Sequence, residues 1–188
     1  SNDKDTVYGL FKKMNFMNYL ITSYTSIAML TIFNEFISGI WLGEDYIFPT
    51  AVVALLVFNN YLRNITQCAD AFRNAAGLYS PRPFVKYFAL MEGLVNLVMS
   101  VFFAHFCNMG YAGVFLGTTI STTLSIAVIV WIVYKFLFEK NMTLYYGSFF
   151  GHLALTVVNG VLSLFIFRAV STSYSFVNLV LGVSISFL

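Results

Sequence analysis

The chain has 188 residues, of which 59% are hydrophobic and 10% charged, and its mean hydropathy is +0.80. A soluble domain is about a quarter charged, so this composition excludes a water-facing surface over most of the molecule and assigns the chain to a lipid bilayer. The formal net charge of +2 is too small to mark a nucleic-acid partner, and none is expected.

A membrane-crossing helix needs about 20 mainly apolar residues. Six stretches approach that length, at about 16–40, 47–70, 84–107, 113–135, 149–168 and 173–188. The expected fold is all-α, a polytopic transmembrane bundle of about six membrane helices over 1–188. Ahead of the first span, Val7, Leu10, Phe11 and Met14 recur at helical spacing beside Lys12 and Lys13. This predicts an amphipathic helix over about 5–14, lying on the membrane surface and turning into the span.

The first span ends where Trp41 and Tyr46 suit the headgroup level and Gly43-Glu44-Asp45 suits a turn in water. The second helix starts near Ile47, with Pro49 in its first turn, and its pattern continues to about Leu78. That length is about 48 Å against a hydrocarbon core of about 30 Å, so it must tilt, break or protrude. Pro81-Arg82-Pro83 stops it.

Within this helix Asn59, Arg63, Thr66, Asp70 and Arg73 follow at steps of four, three, four and three, which places them on one face. Ionisable groups at membrane depth are costly and usually face water or a polar partner. The third span carries Glu92, Asn96 and Ser100 on one face. Gly113, Gly117, Ser121 and Ser125 repeat every fourth residue in the fourth, a spacing that lets two helices approach closely. Further stripes are Asn15/Asn18/Thr22/Thr25 in the first span and His152/Thr156/Asn159 in the fifth. Grouped inward, such stripes would line a hydrated, cationic cavity.

A guanidinium is always charged and matches phosphate in two-pronged geometry. Arg63 and Arg73, with Asn59 and Asn96, are therefore the candidate substrate-binding residues for an anionic, phosphorylated ligand. Asp70 and Glu92 are the candidate ion-coupling residues. Two bland readings stand beside these: Arg73 snorkels to lipid headgroups, and Asp70 is a structural counter-ion. Cys68 and Cys107 read as packing residues. His105 and His152 have no metal-ligand spacing, and no metal or cofactor is expected. Ser148 and His152 sit four apart on one helix, which speaks against an intramembrane serine hydrolase. No catalytic residue is assigned, and the chain is not expected to be an enzyme.

Placement of Lys and Arg orients the zigzag. Lys4, Lys12, Lys13, Arg73, Arg82, Lys86, Lys135 and Lys140 fall on one side and only Arg168 on the other. The basic side, with the N-terminus, is expected to be cytoplasmic.

Four segments in order carry a resemblance: Ile40-Trp41-Leu42-Gly43, then Phe72-Arg73-Asn74-Ala75-Ala76-Gly77-Leu78-Tyr79, then Asn96-Leu97-Val98-Met99-Ser100, then Gly113 to Ser121. Together they resemble the C-terminal lobe of bacterial O-antigen and capsule type polysaccharide flippases, of the multidrug/oligosaccharidyl-lipid/polysaccharide exporter superfamily. The chain differs from that pattern at Glu35, where proline is common, and in the distance of Arg63 from the Phe-Arg motif.

The resemblance implies a two-lobed inner-membrane transporter that moves undecaprenyl-pyrophosphate-linked oligosaccharide by alternating access. This chain would be part of one lobe, facing an N-terminal lobe of the same protein. Implied partners are the lipid-linked oligosaccharide, membrane lipids, and a polysaccharide polymerase and glycosyltransferases. The start at Ser1 and the end at Leu188 inside an apolar run likewise read as a piece of a longer protein. The alternatives are a cation-coupled multidrug exporter and a non-transporting scaffold for polysaccharide-synthesis enzymes.

Overall fold

A computed structural model describes residues 2–78, 87–170 and 175–186. Hydrocarbon offers backbone amides no partner, so a chain this apolar must satisfy them within its own helices. The described residues accordingly form an all-α bundle without strands. The helices are α1 (Asn2–Phe36), α2 (Thr50–Ile65), α3 (Gln67–Ala75), α4 (Phe88–Val101), α5 (Gly110–Val133), α6 (Thr143–Val170) and α7 (Ser175–Ile185). Single π-helical turns extend α1 over Ile37–Trp41, α4 over Phe102–Phe106 and α5 over Tyr134–Phe138.

Among the described residues four helical stretches are long and apolar enough to cross a membrane: Asp3–Trp41, Phe88–Phe106, Gly110–Phe138 and Thr143–Val170. The protein is a membrane protein. Of the two other expected spans, 47–70 is interrupted at Thr66, and α7 has 11 described residues. Residues 79–86, with the Pro81-Arg82-Pro83 stop and the basic residues Arg82 and Lys86, lie outside the described residues. So do 173–174 and 187–188 of the sixth stretch.

The first helix departs from expectation. It runs unbroken from Asn2 to Phe36, so 5–14 forms its opening turns and not a separate element. Half of the apolar stripe there faces protein: Phe11 is 1% exposed and packs on the rings of Tyr8, Phe72, Tyr134 and Phe138, with Val7 against the same cluster, while Leu10 and Met14 are exposed. The Lys4 ammonium pairs with Glu139, and Lys140 pairs with Asp5 at 2.9 Å, both tying these turns to the α5–α6 connection. With its π turn the helical stretch of 39 residues is about 58 Å long, so it extends well beyond the hydrocarbon core.

α1 packs against α2, α3, α6 and α7, while α5 packs against α2, α3 and α4. The start of α1, the end of α3, the end of α5 and the start of α6 share one end of the bundle through the aromatic cluster of Phe11, Phe72, Phe138, Tyr134 and Tyr145. At the other end Asn34 Nδ2 donates to Phe48 O at 2.9 Å, and the Phe48 ring meets Tyr111. This is the zigzag that the charge pattern predicts, with Lys4, Lys12, Lys13, Lys135 and Lys140 toward the first end and Arg168 toward the second.

α4 and α5 touch backbone to backbone. A Cβ on Gly113 would stand 2.5 Å from Ala104 N, and one on Gly117 2.5 Å from Ser100 N. The expected close approach is thus made by these two glycines. Gly43, at φ +94°, opens the turn after α1, a conformation open to glycine and strained for other residues.

Candidate functional site

Between α2, α3, α4 and α5 lies an open cleft of about 370 Å³. Its polar wall is Arg63, Thr66, Gln67, Asp70, Arg73, Glu92, Thr122 and Ser125; Ile126 and Ile129 supply apolar contacts. Four of the six candidate residues from the sequence therefore meet at one place: Arg63, Asp70, Arg73 and Glu92.

Local structure explains how they converge. After Ile65 the helix breaks at Thr66, whose Oγ1 turns back to donate to Leu62 O. A hydroxyl returned to the i−4 carbonyl commonly bends a helix. The carbonyls beside the break are met from another helix: Asn18 Nδ2 lies 2.9 Å from Asn64 O and 3.2 Å from Ile65 O. Asn18 thus holds α1 against the junction, and the face bearing Asp70 and Arg73 is presented to α4 and α5.

Arg73 is 5% exposed, and its Nη2 lies 2.6 Å from Asp70 Oδ1. A guanidinium snorkelling to headgroups would be exposed, whereas that of Arg73 is enclosed and paired with Asp70, as a structural counter-ion would also be. Asn74 Nδ2 also reaches Asp70 Oδ2, at 3.5 Å. Arg63 is exposed on the cleft wall and Glu92 is half-buried. Arg73, expected nearer the mouth, is thus the more enclosed of the two arginines. The cleft holds two guanidiniums and two carboxylates, so among the described residues it is mixed in charge and formally neutral, where the sequence predicts a cationic cavity.

Asn59 and Asn96 stand outside it. Asn59 Nδ2 donates to Phe115 O at 3.0 Å, and Thr119 Oγ1 donates to Asn59 Oδ1 at 3.0 Å, joining α2 to α5. Asn96 Oδ1 accepts from Ser100 Oγ at 2.9 Å and lies 3.5 Å from Thr118 Oγ1 on α5. Both amides serve helix contacts in this arrangement.

The other stripes are also engaged elsewhere. Ser23 Oγ and Thr156 Oγ1 share a hydrogen bond of 2.8 Å between α1 and α6. The His152 ring stacks on Tyr19 at 3.9 Å. Ser148 Oγ and His152 Nδ1 are 3.5 Å apart, one turn from each other on α6. No group of three or more His, Cys, Asp or Glu that could hold a metal occurs among the described residues. Cys68 is buried and Cys107 exposed, both as free thiols.

Sequence reasoning misses Gln67 as a member of the wall. It lies one helical turn beyond Arg63 and one before Asp70, so helical spacing carries the signal. Thr122 and Ser125 line the cleft as well, although their sequence context points only to a helix interface.

Comparison with family models, curated proteins and solved structures yields no match to this chain.

Proposed function

We propose that the chain is part of a transporter that moves a lipid-linked, pyrophosphate-bearing oligosaccharide across the bacterial cytoplasmic membrane by alternating access, for surface polysaccharide synthesis. One observation carries the reading: a buried arginine and an exposed one, Arg73 and Arg63, line a single open cleft among membrane helices. Guanidinium groups suit phosphate because their forked donors match its oxygens. In a setting drier than water the attraction is stronger. The apolar faces around the cleft suit a prenyl tail in lipid, and the polar wall suits a headgroup. The resemblance of the Phe72–Tyr79 segment to polysaccharide flippases supports the same ligand class and supplies the second lobe that would face the cleft.

In this reading the end bearing Lys4, Lys12, Lys13, Lys135 and Lys140 is cytoplasmic, in accord with the positive-inside bias. Arg63 and Arg73 hold the pyrophosphate, while Asp70 and Glu92 couple transport to an ion. The protein performs no bond chemistry. A polymerase and glycosyltransferases would supply and consume its cargo.

The test uses cells whose surface polysaccharide depends on this protein. Arg73→Ala is expected to abolish the polymer at a normal protein level. Arg73→Lys should restore it partly, since an ammonium keeps the charge and loses the fork. Normal polymer in Arg73→Ala would refute the reading.

Asp70 and Glu92 in the same cleft favour one second reading, a cation-coupled exporter of cationic compounds. In that case Glu92→Gln should abolish resistance to cationic drugs, and polymer should be unaffected by either arginine variant.

A further inference from the structure

The ion pair inside the cleft is lopsided. The Asp70 side chain is 39% exposed and that of Arg73 only 6%, with 2.6 Å between Oδ1 and Nη2. The carboxylate is the accessible member and the guanidinium the enclosed one. An anion entering the cleft therefore meets Asp70 before it can engage Nη2.

An arriving phosphate oxygen and the Asp70 carboxylate want the same donor. Both cannot stay ionised side by side at low cost, because like charges within a few ångströms repel and the group that holds a proton more readily will take one. Among the described residues the charged groups that line the cleft with Asp70 are Arg73 on α3 itself, Arg63 on α2 and Glu92 on α4, while α5 contributes the neutral Thr122 and Ser125. α1, also packed on α3, places no residue in the cleft wall among the described residues. Glu92 lines the same cleft and adds a second negative charge to it.

We propose that Asp70 is the resident anion of the cleft: a phosphate group of the ligand displaces it from Arg73, and the displaced carboxylate takes up a proton from the cleft water. Binding of the ligand and uptake of one proton are thus one linked event. The inference rests on the phosphate-ligand reading above and gives Asp70 its part in that reading. It also accounts for a formally neutral cleft serving an anion, since protonation of Asp70 leaves a net positive site only when the ligand is there to use it.

The experiment titrates the purified protein in lipid nanodiscs with a short-chain prenyl diphosphoryl sugar, whose diester phosphates keep their charge between about pH 5 and pH 8. Calorimetry in buffers of different ionisation enthalpy counts the protons. The wild type is expected to take up about one proton per ligand, and its affinity to fall about tenfold per pH unit on the alkaline side, as linkage requires. Asp70→Asn should bind without proton uptake, with a flat pH profile and about tenfold tighter affinity near pH 8. Glu92→Gln should keep the uptake.

Wild-type binding without proton uptake overturns the proposal. So does an unchanged pH slope in Asp70→Asn, or uptake that disappears in Glu92→Gln. The wild-type count decides even if a variant fails to fold. Absence of ligand binding by folded wild type at every pH overturns the phosphate-ligand reading itself.

Discussion

Replacing Gly117 by alanine tests the packing that shapes one wall of the cleft. A Cβ there would lie 2.5 Å from Ser100 N, 2.6 Å from Ser100 Oγ and 2.8 Å from Ser100 Cα. Carbon atoms rest at about 3.5–4.0 Å, so α4 and α5 must part by about 1 Å. The obstacle is mainly backbone, which cannot swing aside as a side chain can. A gap of that size forfeits about a quarter to a half of each dispersion contact along the seam, and overpacking of this kind costs about 1–3 kcal/mol. Gly113→Ala meets Ala104 N at 2.5 Å and Phe103 C at 2.6 Å and should cost about the same, on the order of 1–3 kcal/mol.

Gly147 and Gly151 are internal controls. They sit inside α6, and a Cβ at either would have no neighbour within 4 Å. Alanine there removes a helix penalty and should stabilise by about 0.5–1 kcal/mol. Reversible unfolding in mixed micelles, followed by circular dichroism, reads both pairs. Opposite signs for the seam and control glycines are expected. Gly117→Ala as stable as Gly147→Ala would refute the backbone contact between α4 and α5.

Two further perturbations follow. Asn18→Asp keeps the shape but loses the amide donor that meets Asn64 O and Ile65 O. It should destabilise by about 1–3 kcal/mol and speed hydrogen exchange around Cys68, and unchanged exchange would argue against the hold of Asn18 on the junction. At the basic end, Lys4 hydrogen-bonds to Glu139 and attracts it, holding its carboxyl below the usual value of 4.5. A depressed carboxyl stabilises above its unfolded pKa, and the contribution is lost as pH falls through the folded one. The contact between α1 and the α5–α6 connection should therefore loosen only below pH 4.5, read by fluorescence of nearby Trp131; Lys4→Ala should shrink that acid step, and Lys4→Ala with Lys140→Ala, which also frees Asp5, should remove it.

The helical character and the zigzag were legible because hydrocarbon forces helices and because lysines collect at one end. The face bearing Arg63, Asp70 and Arg73 was legible because helical period alone groups them. Which helix would meet that face was not. Glu92 joins them because Gly113 and Gly117 draw α4 against α5, a pairing that periodicity cannot choose. Asn59 and Asn96 carry a related ambiguity: an amide in an apolar helix looks the same whether it greets a ligand or a neighbouring carbonyl. The break at Thr66 left no mark in composition, since it depends on a hydroxyl turning to Leu62 O and on Asn18 arriving from α1. The stripe of Val7, Leu10, Phe11 and Met14 reads alike for lipid and for protein, and Phe11 chose Phe72 and Phe138.

The two ion pairs at the basic end each join residues 135 positions apart. At the ribosome's pace of about 5–20 residues per second, their partners emerge on the order of ten seconds after Lys4 and Asp5. Through that interval the ring of Phe11 has neither Tyr134 nor Phe138 to cover it. The opening turns of α1 are thus made well before their partners and secured late, and their docking marks the moment at which α5 has returned its end beside them.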